Sequence, residues 1–238
     1  MAIKGILFDF NGTLFFDSEF HVQAFIKCFE KYGIPTPDRT AMVNKIFGRS
    51  NRDIYLSCFD PNGTEAEIRE FELLKEQLYM DICLENPRDF KLCDGAVELL
   101  DFLKKQNVPY CIATGSPREN VEFYFKHLEL GKWFTYGNLV YTDGTFKGKP
   151  APDCYILAAK RLGLLPSECA VFEDGTSGIK AARAAGADKV IAVWERGLPS
   201  PLTDSVCADE EHHDLSDWKG ILSRFGLVFT ERQIYVCR

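Results

Sequence analysis

The stretch IKGILFDFNGT, Ile3–Thr13, decides how this chain is read. Gly5, Ile6, Leu7 and Phe8 form a short apolar run, the pattern of a strand covered on both faces in a parallel sheet. The run stops at Asp9 and passes into Phe10-Asn11-Gly12-Thr13. A carboxylate at the end of a buried strand, followed by a tight turn, sits where open α/β sheets bind ligands. The same letters also spell a β-hairpin, because Asn-Gly between two apolar runs favours a type I′ turn. The rest of the chain chooses between the two.

From Asp94 onward helical and strand patterns alternate. Ala96 to Lys105 reads as a helix and Tyr110-Cys111-Ile112-Ala113 as a buried strand. A helix follows to about Leu128, opened by Ser116 with Pro117 at its first position. Leu139-Val140-Tyr141 is the next strand, and Pro152 opens a helix that ends near Gly163. Cys169-Ala170-Val171-Phe172 is a strand, Thr176 to Ala185 a helix closed by Gly186, and Val190-Ile191-Ala192-Val193 a further strand. This alternation implies a parallel sheet covered on both faces. Parallel strands need crossovers, so Ile3 to Phe8 joins that sheet and the hairpin reading falls away.

The intervening segment differs. Ser18 to Tyr32 carries Val22, Phe25, Ile26, Phe29 and Tyr32 at helical spacing, with Asp17 and Ser18 placed to cap its start and Gly33 and Pro35 to end it. A second helix is expected over Asp38 to Ile46, then a polar loop, Phe47-Gly48-Arg49-Ser50-Asn51-Arg52. Thr64-Glu65-Ala66-Glu67 is a capping box that opens a helix with Ile68, Phe71, Leu74, Leu78 and Ile82 on one face. The expected fold class is therefore α/β, a Rossmann-like parallel sheet core with an inserted all-helical cap domain. Residues 1–15 and 89–238 form the core and residues 16–88 the cap, joined by crossings near Phe15 and Asp89. Leu227-Val228-Phe229 and Ile234-Tyr235-Val236 are expected to pair as a terminal hairpin.

The formal net charge of -7 argues against a nucleic-acid or anionic-membrane surface, though a phosphorylated substrate needs only local positive charge. The nine cysteines make no CxxC pair and several sit in apolar runs, as expected of buried reduced thiols in a cytoplasmic protein. No apolar segment approaches the roughly 20 residues that span a bilayer, and strand residues begin almost at once, without a signal peptide. His212-His213, among Asp209, Glu210, Glu211 and Asp214, reads as a solvated loop rather than a metal cluster.

Three strands end in polar groups: Asp9 and Asn11 after the first, Thr114-Gly115-Ser116 after the second, Glu173-Asp174-Gly175 after the fourth. All strand C-termini of a parallel sheet share one edge, so these groups can converge. Phosphoryl transfer fits them. Asp9 is the candidate nucleophile, since aspartyl-phosphate is an established intermediate type. Asp9, Glu173 and Asp174 would repel one another without a cation, and hard oxygen ligands beside a phosphate suit Mg²⁺. Thr114 with the backbone N–H groups of Gly115 and Ser116 reads as an anion site at a helix start. Lys149, in Lys147-Gly148-Lys149-Pro150, would neutralise the nucleophile and the phosphoryl group. Singly, each piece also reads as an ordinary turn or loop; the order and placement of all of them are more specific.

With these motifs the chain resembles the haloacid dehalogenase superfamily, and within it the β-phosphoglucomutase-like phosphatases and mutases. Asp9-Phe10-Asn11-Gly12-Thr13 is similar to the family's first motif, Thr114 to the second, Lys149 in GKPAPD to the third, and Glu173-Asp174 in FEDGTSGIKAARAAG to the fourth. The resemblance spans nearly the whole chain except about the last twenty residues. It implies a Mg²⁺-dependent enzyme with an aspartyl-phosphate intermediate, the metal held by Asp9, the backbone carbonyl of Asn11 and Asp174, with Glu173 assisting. The helical insertion resembles the family's small cap. There His21, Arg49 and Lys75 match positions that face the substrate, while a partly buried histidine and a solvated lysine remain the alternatives. The expected partner is a small phosphorylated metabolite, and the expected assembly a monomer or weak homodimer.

One position departs from the pattern. Most phosphatases and mutases of this family carry an aspartate two residues after the nucleophile to protonate the leaving group and activate water. Here that residue is Asn11, which donates hydrogen bonds but carries no transferable proton at neutral pH. The expected function is a phosphomonoester hydrolase with weakened acid–base catalysis. A phosphosugar mutase and a low-turnover phosphate-binding protein are the alternatives; dehalogenase and phosphonatase chemistry, the latter needing a cap amine such as Lys45 or Lys75, stand below these.

Overall fold

The computed structural model describes residues 3–46 and 49–225, so the hairpin expected over 227–236 lies outside the described residues. Strand β1 (Gly5–Phe8) is followed by four helices, α1 (Ser18–Lys31), α2 (Arg39–Ile46), α3 (Asn51–Cys58) and α4 (Glu65–Glu85). Then come α5 (Ala96–Lys105), β2 (Tyr110–Pro117), α6 (Arg118–His127), β3 (Leu139–Thr142), α7 (Asp153–Arg161) and β4 (Cys169–Glu173). The described chain ends with α8 (Thr176–Ala185), β5 (Lys189–Val193), β6 (Glu210–His212) and α9 (Trp218–Arg224).

The strands form one sheet in the order β3-β2-β1-β4-β5-β6, with every pairing parallel. The order reverses at β1, which pairs with β2 on one side and β4 on the other. Leu7 lies opposite Cys111 and Val171, and Phe8 opposite Ile112 and Phe172. This register carries Asp9, Thr114 and Glu173 to the same sheet edge, at the switch point where such folds open a crevice.

Alternation along the strands covers both faces. Ile6, Phe8, Ile112 and Phe172 join a cluster with Leu99 and Leu103 of α5 and Val121 and Tyr124 of α6. Leu7, Cys111, Val171 and Val190 join another with Tyr155 and Ala158 of α7 and Ile179 and Ala182 of α8. The inserted helices enclose their own cluster of Val22, Phe25, Phe29, Ile54, Ile68 and Phe71. Thr64 and Glu67 form the expected capping box at α4.

Four local expectations are corrected. Strand β2 runs through Ser116 to Pro117, so the helix starts one residue late, at Arg118. The expected polar loop ends at Ser50, whose side chain accepts from the Asp53 N–H and starts α3 at Asn51. Asp17 precedes α1 without capping it, because its carboxylate is committed elsewhere. His212 is not in a solvated loop: Glu210–His212 pairs in parallel with β5, and charged residues suit such a sheet edge. The eight described cysteines are unpaired, and no described helix is long and apolar enough to cross a membrane.

Candidate active site

Asp9 follows β1 directly, its N–H donating to the Phe172 carbonyl at 2.9 Å, which extends the ladder to β4 and fixes the carboxylate at the edge. Lys149 Nζ bonds Asp9 Oδ1 and Glu173 Oε1, the latter at 2.5 Å. Glu173 also accepts from Tyr155 Oη at 2.9 Å and from the Gly175 N–H at 2.8 Å. Carboxylate oxygens of Asp9, Glu173 and Asp174 lie within 4.8 Å of one another. Burial pushes the Asp9 carboxyl up to about 7, against the pull of Lys149 and with the help of Glu173. Asp174 is driven well above the carboxylate range by burial, then by Glu173 and Asp9. Burial alone would lower Lys149, but Asp9 and Glu173 overcome it and hold the ammonium well above its usual range. Clustered hard oxygens that resist joint ionisation form the donor set of a hard divalent cation.

Two glycines make room for this cluster. Gly12 has φ +79°, and a Cβ there would run into the Asp174 carboxylate. A Cβ at Gly178, in the first turn of α8, would collide with the Glu173 carboxylate.

Asn11 is fully engaged. Its Nδ2 donates to Asp17 Oδ2 at 2.5 Å and to Tyr124 Oη at 2.9 Å, while its Oδ1 accepts from Ser116 Oγ at 2.7 Å. Asp17 also accepts from Tyr79 Oη at 2.7 Å and lies 3.1 Å from His21 Nε2. Burial would raise Asp17, but His21 and the bonds from Tyr79 and Asn11 hold it below the usual carboxylate range. A carboxylate therefore stands beside the amide at position 11. The expected helix-start anion site is changed: Gly115 and Ser116 belong to β2, and the Ser116 N–H donates to Thr114 Oγ1 at 3.0 Å.

A cavity of about 680 Å³ separates this edge from the inserted helices. It brings together Asp9, Asn11, Thr114, Gly115, Ser116, Lys149, Glu173 and Asp174 with His21, Arg49 and Lys75. Lys75 is buried, not solvated; its Nζ lies 2.8 Å from both His21 Nδ1 and Glu76 Oε1. The His21 ring stacks on Tyr79 at 4.3 Å. Arg49 Nη2 donates to the Asp53 carbonyl at 3.1 Å. Lys45 is exposed and outside the cavity. Arg52, of the same expected polar loop as Arg49, pairs with Glu65 on the surface. A larger groove of about 970 Å³, bordered by Phe90, Glu98 and Trp133, contains none of these groups.

Sequence reasoning missed Asp17, Glu76, Tyr79, Asn120, Tyr124, Tyr155 and Arg69. Their side chains reach the site from helices where spacing marks them only as helix caps, core aromatics or surface charges. Asp17, at a helix start six residues past Asn11, was the one with a visible signal.

Residues 3–186 match the family model of the haloacid dehalogenase-like hydrolases. The chain is 30% identical over 226 residues to protein CbbY of Rhodobacter capsulatus, covering 91% of this chain and 95% of that protein. It is 27% identical over 193 residues to the phosphorylated carbohydrates phosphatase of Thermotoga maritima, covering 80% and 85%. A solved structure from Entamoeba histolytica, a HAD hydrolase of family IA, variant 3, superposes with a TM-score of 0.81 at 32% identity, covering 98% of each chain.

Two outcomes are expected. Gly178→Ala should displace Glu173 and unseat Lys149, lowering hydrolytic turnover about 10²-fold, the cost of misplacing catalytic groups by about 1 Å, while circular dichroism shows a folded protein. The second concerns Glu76. Burial would raise its carboxyl, but Lys75, His21 and the bond from Asn120 bring it from 4.5 down to about 2. It therefore stabilises the fold above about pH 4.5 and loses that contribution as pH falls toward about 2. Urea unfolding at pH 6 and pH 3 should show the wild type losing more stability than Glu76→Gln.

Proposed function

Because the chain belongs to the haloacid dehalogenase-like hydrolases, we propose that it is a phosphatase of small phosphomonoesters, sugar phosphates foremost, working through an aspartyl-phosphate on Asp9. The observation that carries this reading is the placement of Asp9 beside Lys149, Glu173 and Asp174 at the sheet switch point, under a cavity of metabolite size. The names of the Thermotoga and Rhodobacter relatives agree with a phosphosugar substrate in the first case and leave it open in the second.

In this reading an Asp9 oxygen attacks phosphorus, and the ester oxygen leaves with the bonding pair. Lys149 offsets the charge gathering on the phosphoryl oxygens. Thr114 and Ser116 border the phosphoryl pole and orient it. Water then attacks the phosphorus of the aspartyl-phosphate, releasing inorganic phosphate and restoring the carboxylate. Asp9, the Asn11 carbonyl and Asp174 would hold Mg²⁺, with Glu173 assisting while it anchors Lys149. When bound, the ion shields the carboxylates from one another and draws charge from the phosphoryl group. His21, Arg49 and Lys75 would contact the rest of the substrate from residues 16–88, acting as a cap over the core.

Asn11 stands where this chemistry calls for an acid. Its amide cannot pass a proton to the leaving oxygen, and general acid–base catalysis contributes about 10²–10⁴-fold. A second reading, a phosphate-ligand binding protein with little turnover, draws on the three hydrogen bonds that lock this amide. A mutase, which needs cap cations such as Arg49, Arg52 and Lys75 to hold a second phosphate, has less support, because Arg52 is spent on Glu65.

A phosphomonoester panel with Mg²⁺ tests these readings, run beside Asn11→Asp. An aspartic acid at position 11 would face the Asp17 carboxylate, and this like-charge neighbour would keep it protonated toward neutral pH, as a general acid requires. Turnover of unactivated sugar phosphates should rise by about 10²–10⁴-fold, with mass spectrometry confirming the residue, since Asn-Gly deamidates. A fast parent with no gain in the variant would mean that another group supplies the proton. Binding of Mg²⁺ and phosphate with no turnover in either form would favour the binding protein.

A further inference from the structure

Three buried polar side-chain atoms among the described residues have no hydrogen-bond partner: Thr13 Oγ1, Asn120 Oδ1 and Glu195 Oε2. Only Asn120 borders the site cavity. It sits on α6 of the core and is 3% exposed. Buried acceptors are almost always paired, because an unmet one forfeits its hydration without return.

The orientation of this amide follows from its neighbour. Asn120 Nδ2 donates to Glu76 Oε2 at 2.7 Å, across the seam between core helix α6 and cap helix α4. The other Glu76 oxygen accepts from Asn51 Nδ2 and Lys75 Nζ, each at 2.8 Å. A flipped amide would set oxygen against this carboxylate. Nδ2 is thereby committed to Glu76, and Oδ1 is left with no protein donor.

We propose that Asn120 is a specificity-determining residue whose Oδ1 accepts a hydrogen bond from a hydroxyl of a polyhydroxylated phosphate ester, with Glu76 as the positioning residue that holds the amide. The proposal rests on the phosphomonoesterase reading above and concerns the leaving-group half of the substrate. A phosphate dianion has no proton to donate, so Oδ1 is unsuited to the phosphoryl pole. A sugar or alditol hydroxyl has one. Asn51, the other amide that donates to Glu76, lines the same cavity. Among the described residues no Phe, Tyr or Trp side chain lines it, and one face of the His21 ring is taken by Tyr79. Oδ1 is closed to bulk water, so a hydroxyl reaches it by a small shift at the Asn120–Glu76 seam and then meets no competing solvent. A site that leaves a polar group unpaired when the hydroxyl is missing discriminates strongly against the analogue that lacks it.

The test uses ribose 5-phosphate, fructose 1-phosphate, phenyl phosphate and inorganic phosphate, with affinities by calorimetry and kcat/KM where turnover occurs. The wild type should favour at least one sugar phosphate over phenyl phosphate, and Asn120→Ala should reduce that ratio about tenfold, the worth of one hydrogen bond. Equal weakening of every ligand, or no change, overturns the proposal. Should Asn120→Ala fail to fold, deoxy analogues of the preferred sugar phosphate decide on the unaltered protein. One deoxy position should lose about tenfold, and uniform binding across the deoxy series overturns the assignment. If the sugar preference and its loss appear in binding without any turnover, Asn120 stands and the phosphatase reading falls. If turnover is present but indifferent to Asn120 and to the deoxy series, the phosphatase reading stands and this inference falls.

Discussion

Three carboxylates and one ammonium are forced together at the edge of a buried sheet, and much of the surrounding structure answers to that charge problem. Sheet register puts Asp9 beside Glu173, and the turn after β4 adds Asp174. Removing such groups from water is costly unless opposite charge and hydrogen bonds compensate. Lys149 supplies the charge, while Tyr155 Oη and the Gly175 N–H fill the remaining valences of Glu173. Gly12 and Gly178 are small because carboxylates occupy the space where their side chains would be. Burial first, and then the repulsion among the carboxylates, raises the Asp9 and Asp174 carboxyls, and a divalent cation would offset both.

A second network joins the inserted helices to the core, and it turns on Asn11. The amide links Asp17, Tyr124 and Ser116, and Tyr79 donates to Asp17 while approaching Tyr124 Oη at 3.1 Å. Asp17 is thus the buried carboxylate of this network, and the donor at position 11 matches it. A carboxylate at both positions would have to share a proton. The same seam is closed further out by Glu76 and Asn120. The cap meets the core through these directional hydrogen bonds and through apolar packing of Phe20, Ala24, Tyr79 and Ile82 against the core cluster, while its own interior is held by aromatic packing, such as Phe29 on Phe59 at 4.6 Å.

The sheet was legible because buried parallel strands leave a plain mark: Val190-Ile191-Ala192-Val193 and Cys169-Ala170-Val171-Phe172 are apolar on both faces, and Gly, Pro and Thr punctuate between them. Asp9, Thr114, Glu173 and Asp174 were legible because strand ends of a parallel sheet must share an edge, and Lys149 because of the GKPAPD motif in the loop before α7. Other features follow from tertiary placement that local sequence does not encode. Asp17 looks like a helix cap because its partners Tyr79 and Tyr124 are remote in the chain. Ser116-Pro117 looks like a helix start because pairing of Pro117 with Thr142 of β3 prolongs the strand instead. Glu210–His212 looks like a loop because an edge strand needs only one neighbour and tolerates charge. Asn120 gives no signal at all until Glu76 is found opposite it.

The central claim is that Asp9 itself carries the phosphoryl group. Rapid acid quench of turnover on a phosphomonoester with Mg²⁺, followed by borohydride reduction, converts an aspartyl-phosphate to homoserine, which peptide mass spectrometry locates. The account predicts homoserine at position 9, dependent on substrate and absent without it. Release of phosphate with Asp9 unmodified at every quench time, under conditions that trap a synthetic acyl phosphate, would contradict it.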